Sequence, residues 1–103
     1  MSRQRLTPTL RKAEILQSAI FLAEEYGYKS FTRSNVASRA GCSEGLVTKY
    51  FPTINILRRA VVGAAISQEN LNIIAQALVM GDPRARKAPE NLRRQAAETL
   101  MGM

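Results

Sequence analysis

The chain reads as an all-α protein: a three-helix helix-turn-helix head, followed by a short helical extension of two to three helices that dimerises. Three observations carry that reading. Apolar residues recur at helical spacing along most of the chain. Most of the 6 Gly and 4 Pro fall where those stretches end. Between two of the stretches, Gly41-Cys42-Ser43 pairs a residue suited to a left-handed helix end with a good helix-starting serine.

Residues 1–7 are basic, polar and patternless, and read as a flexible arm. Thr7-Pro8-Thr9 starts the first helix, since proline is tolerated in a first turn and either threonine can cap it. Ile15, Leu16, Ala19, Leu22, Ala23 and Tyr26 then share one face up to Gly27. Phe21 falls off that face, either partly exposed or covered from the C-terminal side. A link from Tyr28 to Phe31 leads to a second helix beginning at Thr32 or Arg33, with Val36, Ala37 and Ala40 inward. After the Gly41 break, Ser43 caps a short third helix, Glu44 to Phe51, which Pro52 stops. The head therefore spans 8–52.

The extension covers 53–103. Thr53 caps a fourth helix whose stripe is Leu57, Ala60, Val61, Ala64 and Ala65. Ser67 either caps a fifth helix or lies where the two run together. Leu71, Ile74, Ala75, Leu78 and Val79 form an apolar face ending at Gly81-Asp82-Pro83, where a turn restarts. Pro89 opens a last helix through Leu92, Ala96 and Leu100. Leu57, Val61, Leu71, Ile74 and Leu78 make more apolar stripe than one small head covers, so a homodimer is expected.

Fifteen Lys and Arg against 8 Asp and Glu give a net +7, which suits a polyanionic partner, since phosphate neutralisation dominates non-specific nucleic-acid affinity. Arg3, Arg5, Arg11 and Lys12 precede the first acid, Glu14, and supply more than half of that charge. Histidine is absent, which removes the commonest general base and the commonest metal ligand. Cys42 is the lone cysteine, so no intrachain disulfide or cysteine zinc cluster can form, and a reducing compartment is expected. It reads as a small core residue in the turn. No signal peptide is visible, because Glu14 and Gln17 break the stretch from Ala13 to Ala23. The longest apolar run, Ala60 to Ile66, is too short to span a bilayer. The expected location is cytoplasmic, with no membrane partner. No cofactor or metal is expected. With no paired carboxylates at catalytic spacing and no phosphate-cradling glycine loop, the chain is not expected to be an enzyme.

Ile15-Leu16, Ala19, Gly27-Tyr28, Thr32, Val36-Ala37, Ala40-Gly41, Ser43, Gly45, Tyr50-Phe51-Pro52 and Leu57 resemble the DNA-binding domain of the tetracycline-repressor (TetR) family, over about residues 11–60. The resemblance implies that the second helix braces the DNA backbone, the third lies in the major groove, and the fourth ties the head to a dimerising body. It places Arg33 and Ser34 at phosphate or base. Glu44, Gly45, Leu46, Thr48 and Tyr50 fall on the outward side of the recognition helix, and Cys42, Val47 and Phe51 on its buried side. Thr48 stands where the family very often has tyrosine. Ile54 stands where it often has a phosphate-gripping lysine, for which Arg58 or Arg59 is the local substitute. Members carry a helical ligand-binding body about as long again as this whole chain. The resemblance is thus to an unusually short, truncated form, which tells against a small-molecule effector of the usual kind.

The residue types agree with DNA contact. Ser43, Glu44, Thr48 and Lys49 offer hydroxyl, carboxylate and ammonium groups for base edges or phosphates. A carboxylate at Glu44 is repelled by phosphate unless it accepts from cytosine N4. Gly45 either lets backbone approach DNA closely or is a tolerated helix glycine; Tyr50 either bonds a phosphate or packs. Arg3, Arg5 and Lys12 form a phosphate or minor-groove arm, or, for the first two, a solubilising terminus. The expected function is sequence-specific binding of double-stranded DNA, as a repressor occupying a pseudo-palindromic operator with half-sites about one helical turn apart or a multiple of that. The rival reading is a protein-interaction adaptor or anti-regulator on the same scaffold.

Overall fold

The computed structural model describes residues 7–102. Among them are seven helices and no strand: α1 (Pro8–Tyr26), α2 (Arg33–Ala40), α3 (Glu44–Tyr50), α4 (Ile54–Ser67), α5 (Leu71–Val79), α6 (Pro83–Arg86) and α7 (Glu90–Leu100). The protein is all-α, and α1–α3 form the helix-turn-helix head. The extension consists of α4, α5 and α7 plus the single turn α6, which occupies the Asp82-Pro83 turn expected from the sequence.

Short side chains that satisfy the orphan N–H groups of a first turn set the helix starts. Thr7 accepts from the Leu10 N–H at 3.2 Å, Ser43 from Leu46 at 3.1 Å and Thr53 from Ile56 at 3.1 Å. Thr32 and Asn35 form a reciprocal capping box at the start of α2. At the α1 end, Gly27 takes φ +103° while its N–H closes onto the Ala23 carbonyl at 2.9 Å. That backbone conformation leaves the helical region and ends α1, and a side chain there would be strained, which suits the position to glycine.

The core is continuous from the head into the extension. α1 packs on α2, α4 and α5, and α5 packs in turn on α4, α6 and α7. Because α1 is covered from several sides, its buried set is wider than one stripe. It adds Ile20 and Ser18 to Ile15, Ala19, Leu22 and Ala23. Tyr26, expected on the buried face, is instead 69% exposed. Phe21 is exposed, and the Arg39 guanidinium of α2 lies over its ring at 3.3 Å. The link after α1 is not surface: Tyr28 and Phe31 are both core residues.

Two expectations for the extension change. Ser67 does not start a helix. It ends α4, and Asn70 caps α5 by accepting from the Ile73 N–H at 3.3 Å. The stripe taken as a dimer surface lies within this chain: Leu57, Val61 and Ile74 are each 0% exposed, while Leu71 and Leu78 are half-buried against the same core. The chain's own helices close over Leu57, Val61 and Ile74, so those three side chains are not available to a second copy. In the extension, the large apolar side chains left outside are Ile56, in the first turn of α4, and Val79, Met80, Leu100 and Met101, at the C-terminal ends of α5 and α7.

A polar seam joins the link to the extension. Gln76 of α5 accepts from the Tyr28 N–H at 2.8 Å and donates to the Ala23 carbonyl at 3.0 Å, so one amide closes two backbone groups at the end of α1. Arg58 of α4 donates to the Lys29 carbonyl at 3.0 Å. The Tyr28 hydroxyl makes a long 3.4 Å bond to Asp82. Burial, then the Asp82 charge, hold the Tyr28 phenol above the ordinary tyrosine range, so it is a donor at neutral pH.

Candidate nucleic-acid interface

The α2–turn–α3 unit is fixed from inside. Val36, Ala37 and Ala40 bury one face of α2, and Val47 and Phe51 bury the facing side of α3. Cys42, in the turn, is half-buried against them. Gly41 takes the left-handed φ of +70°, and the next N–H, that of Cys42, bonds back to the Ala37 carbonyl at 3.0 Å. With its inner side anchored, α3 presents a fixed outer side.

That outer side carries Ser43, Glu44, Gly45, Thr48 and Lys49, all exposed. Leu46 and Tyr50 are half-buried and pack on the core, so each offers an edge rather than a whole side chain. Hydrogen bonding narrows what the hydroxyls can do. Ser43 accepts from Leu46, which leaves its O–H free to donate outward. Thr48 donates to the Glu44 carbonyl at 3.1 Å, so outward it offers only an acceptor oxygen and a methyl. Glu44 stands in the first turn of α3, where a carboxylate also complements the helix dipole.

Cations frame the C-terminal end of α3. Lys12 of α1 is exposed, with its ammonium 5.5 Å from the centroid of the Phe51 ring. Lys49 lies 5.7 Å from the Tyr50 ring. Arg33 is half-buried and donates to the Pro52 carbonyl at 3.3 Å, which ties α2 to the turn before α4. Its Nε is buried without a protein partner. Ser34, beside it, is exposed. Arg3 and Arg5 lie outside the described residues. Of the two arginines expected to replace a lysine at position 54, Arg58 is spent inward on Lys29 and Asn55, whereas Arg59 is exposed.

Sequence reasoning did not single out Lys29 or Asn55. Both are exposed beside Arg58, and Asn55 stands in the first turn of α4, next to Pro52 and Thr53. A lysine in the α1–α2 link and an asparagine in the first turn of α4 share no periodic signal, so the fold alone brings them together.

No helix among the described residues is long and apolar enough to cross a membrane, and they hold no group of three or more potential metal ligands. Residues 15–61 match the family model of the bacterial regulatory proteins of the tetR family. The matched stretch runs from Ile15 in α1 to Val61 in α4 and contains all of α2, the turn and α3. The chain finds no match among curated proteins and none among solved structures.

Proposed function

Since residues 15–61 form a DNA-binding domain of the tetR family of bacterial regulators, we propose that this protein is a transcriptional repressor that binds a pseudo-palindromic operator as a homodimer. The observation that carries the reading is the one-sided build of α3: Val47 is fully buried, and every fully exposed position beside it is polar or glycine. A helix set this way offers hydroxyl, carboxylate and ammonium groups to a major groove. Arg33, Ser34, Lys12 and Tyr50 stand at its edges for phosphates. Two heads are needed for a palindrome, and the exposed Val79, Met80 and Leu100 supply apolar surface for a second copy. Repression follows from occlusion of the promoter. The protein acts in the cytoplasm, where the DNA is, and has no catalytic role.

The test is binding to duplex DNA across a salt series, followed by selection from randomised duplexes. Binding that falls linearly on log–log axes, with a selected palindrome carrying two chains, is the expected result. No retention on any duplex at low salt would overturn the reading in favour of a protein-binding adaptor.

Gly45 gives a second readout. A Cβ there would meet only Ser43 Oγ, at 3.8 Å, so nothing inside the protein requires glycine. Gly45→Ala is therefore expected to leave the free protein as stable as before, or more stable by up to about 1 kcal/mol. Its affinity for the selected duplex should nevertheless drop several-fold, because the added methyl stands where backbone meets DNA. Thermal melts and fluorescence anisotropy on the same samples separate the two effects, and undiminished affinity would show that DNA does not approach Gly45.

A further inference from the structure

The basic residues of the extension divide into two kinds. On α7, Arg94 is paired with Glu90 at 3.3 Å, and Arg93 donates to the Ala88 carbonyl at 3.0 Å. Around α6 the pattern differs. Arg59, Arg84 and Lys87 are exposed and line one groove of about 510 Å³ with Asp82 and Pro83, and among the described residues none of the three is ion-paired. Asp82 is the sole carboxylate of that lining, and both its oxygens are engaged, one by the Arg84 N–H at 2.9 Å and the other by the Tyr28 hydroxyl.

The groove is built on rigid parts. Ala85 and Ala88 are 0% and 5% exposed, so α6 is pinned to the core and holds Arg84 and Lys87 on its outer side. Gly63 of α4 lies beside one of these cations: the Arg84 guanidinium would be in ordinary contact, at 3.9 Å, with a Cβ at that position. Asn55, Arg59 and Gly63 are spaced four residues apart on α4, so they share a face that rises about 12 Å from the α4 N-terminus. Arg59 and Asp82 also border the adjoining hollow lined by Lys29, Asn55 and Arg58. The basic surface thus continues from the first turn of α4, beside the end of α3, to α6.

We propose that this groove between α4 and α6 holds backbone phosphates of the duplex flanking the half-site that the head reads. The inference rests on the DNA-binding reading above. Phosphate suits the groove because its three cations form no ion pair among the described residues, while duplex DNA presents one negative charge per about 1.7 Å of its axis. A protein partner suits it less, since Pro83 is the only apolar residue of the lining and protein interfaces depend on buried aromatic or aliphatic anchors. Flanking DNA that bends towards the extension gains these contacts in return for its deformation.

The test compares the selected duplex trimmed to the half-sites with the same duplex extended by about one helical turn, ~10 bp, at each end. Wild type is expected to bind the longer duplex more tightly. R84A/K87A should lose that gain, roughly five- to twentyfold, together with about 2 units of log–log salt slope, while binding the trimmed duplex like wild type. R84K/K87R, which keeps both charges, should retain the gain. An equal affinity of wild type for both lengths, or an unaltered gain in R84A/K87A, overturns the proposal and leaves the head's function intact. Wild type that binds neither duplex overturns the DNA-binding reading itself. Poly-L-glutamate binding that R84A/K87A loses, with DNA binding unaffected, overturns the proposal in favour of an acidic protein.

Discussion

Ile74→Glu is expected to abolish the folded state, and Ile74→Ala to weaken it by about 2–5 kcal/mol, a large part of the ~5–15 kcal/mol that holds a domain together. Ile74 is 0% exposed, and α5 is enclosed by α1, α4, α6 and α7. Truncation to alanine leaves a cavity among packed neighbours, with the lost transfer energy added to it. A glutamate must either bury a charge or hold its carboxyl neutral without a partner, and both are costlier than the cavity. Urea denaturation and thermal melts by circular dichroism read the effect directly. Ile74→Ala should lower the melting temperature by roughly 10 °C or more, at ~4–8 °C per kcal/mol for a domain of this size. The shift should not depend on protein concentration. A stable Ile74→Glu monomer from a dimeric wild type would return this face to the surface and contradict the packing described.

The same residue shows where sequence reading stops. The caps Thr7, Ser43 and Thr53 and the terminator Gly27 were legible because each acts on backbone groups within about four residues. The α5 stripe was legible as a stripe, but its cover was not. An apolar face looks the same in sequence whether a twin or the chain's own α7 lies on it. Tyr28 and Phe31 were read as linker because three or four residues have no period to measure. Tyr28 is held by Gln76 and Asp82, roughly fifty residues away in sequence. The α4–α5 boundary failed for a different reason. α4 closes without glycine: Glu69 takes φ +55°, and the Asn70 N–H bonds back to the Ala65 carbonyl at 2.8 Å. Serine and asparagine are both good caps, and the usual mark of a helix end was missing between them.

Much of the candidate interface was legible, because a buried Val47 dictates which residues of so short a helix point out. What the sequence could not show is how each group is already committed. Arg33 and Arg58 read as free cations, yet each donates to a backbone carbonyl of a neighbouring segment. Lys12 had no evident relation to α3 until α1 and Phe51 were brought together.

Thr48→Ala is expected to cost about 1–3 kcal/mol on the selected operator and clearly less on random DNA, because only the specific complex uses a base contact. Thr48 is exposed one turn beyond Glu44, and its hydroxyl proton is already given to the Glu44 carbonyl. The groups it offers a base are therefore an acceptor oxygen, suited to adenine N6 or cytosine N4, and a methyl, suited to the thymine methyl. Substitution by alanine removes both without harming the helix, since alanine has the higher helix propensity by up to about 0.7 kcal/mol. Loss of binding then cannot be laid to unfolding, and circular dichroism should show an intact helix. Two further variants identify the group that reads. Thr48→Val keeps the methyl and the shape but no oxygen, so retained specificity assigns the readout to a methyl–methyl contact. Thr48→Ser keeps the oxygen alone, so retained specificity assigns it to the acceptor. Equal proportional losses on operator and random DNA would make Thr48 a phosphate neighbour. An alanine variant that selects the same sequences with the same affinity as wild type would remove it from the interface and leave readout to Ser43, Glu44 and Lys49.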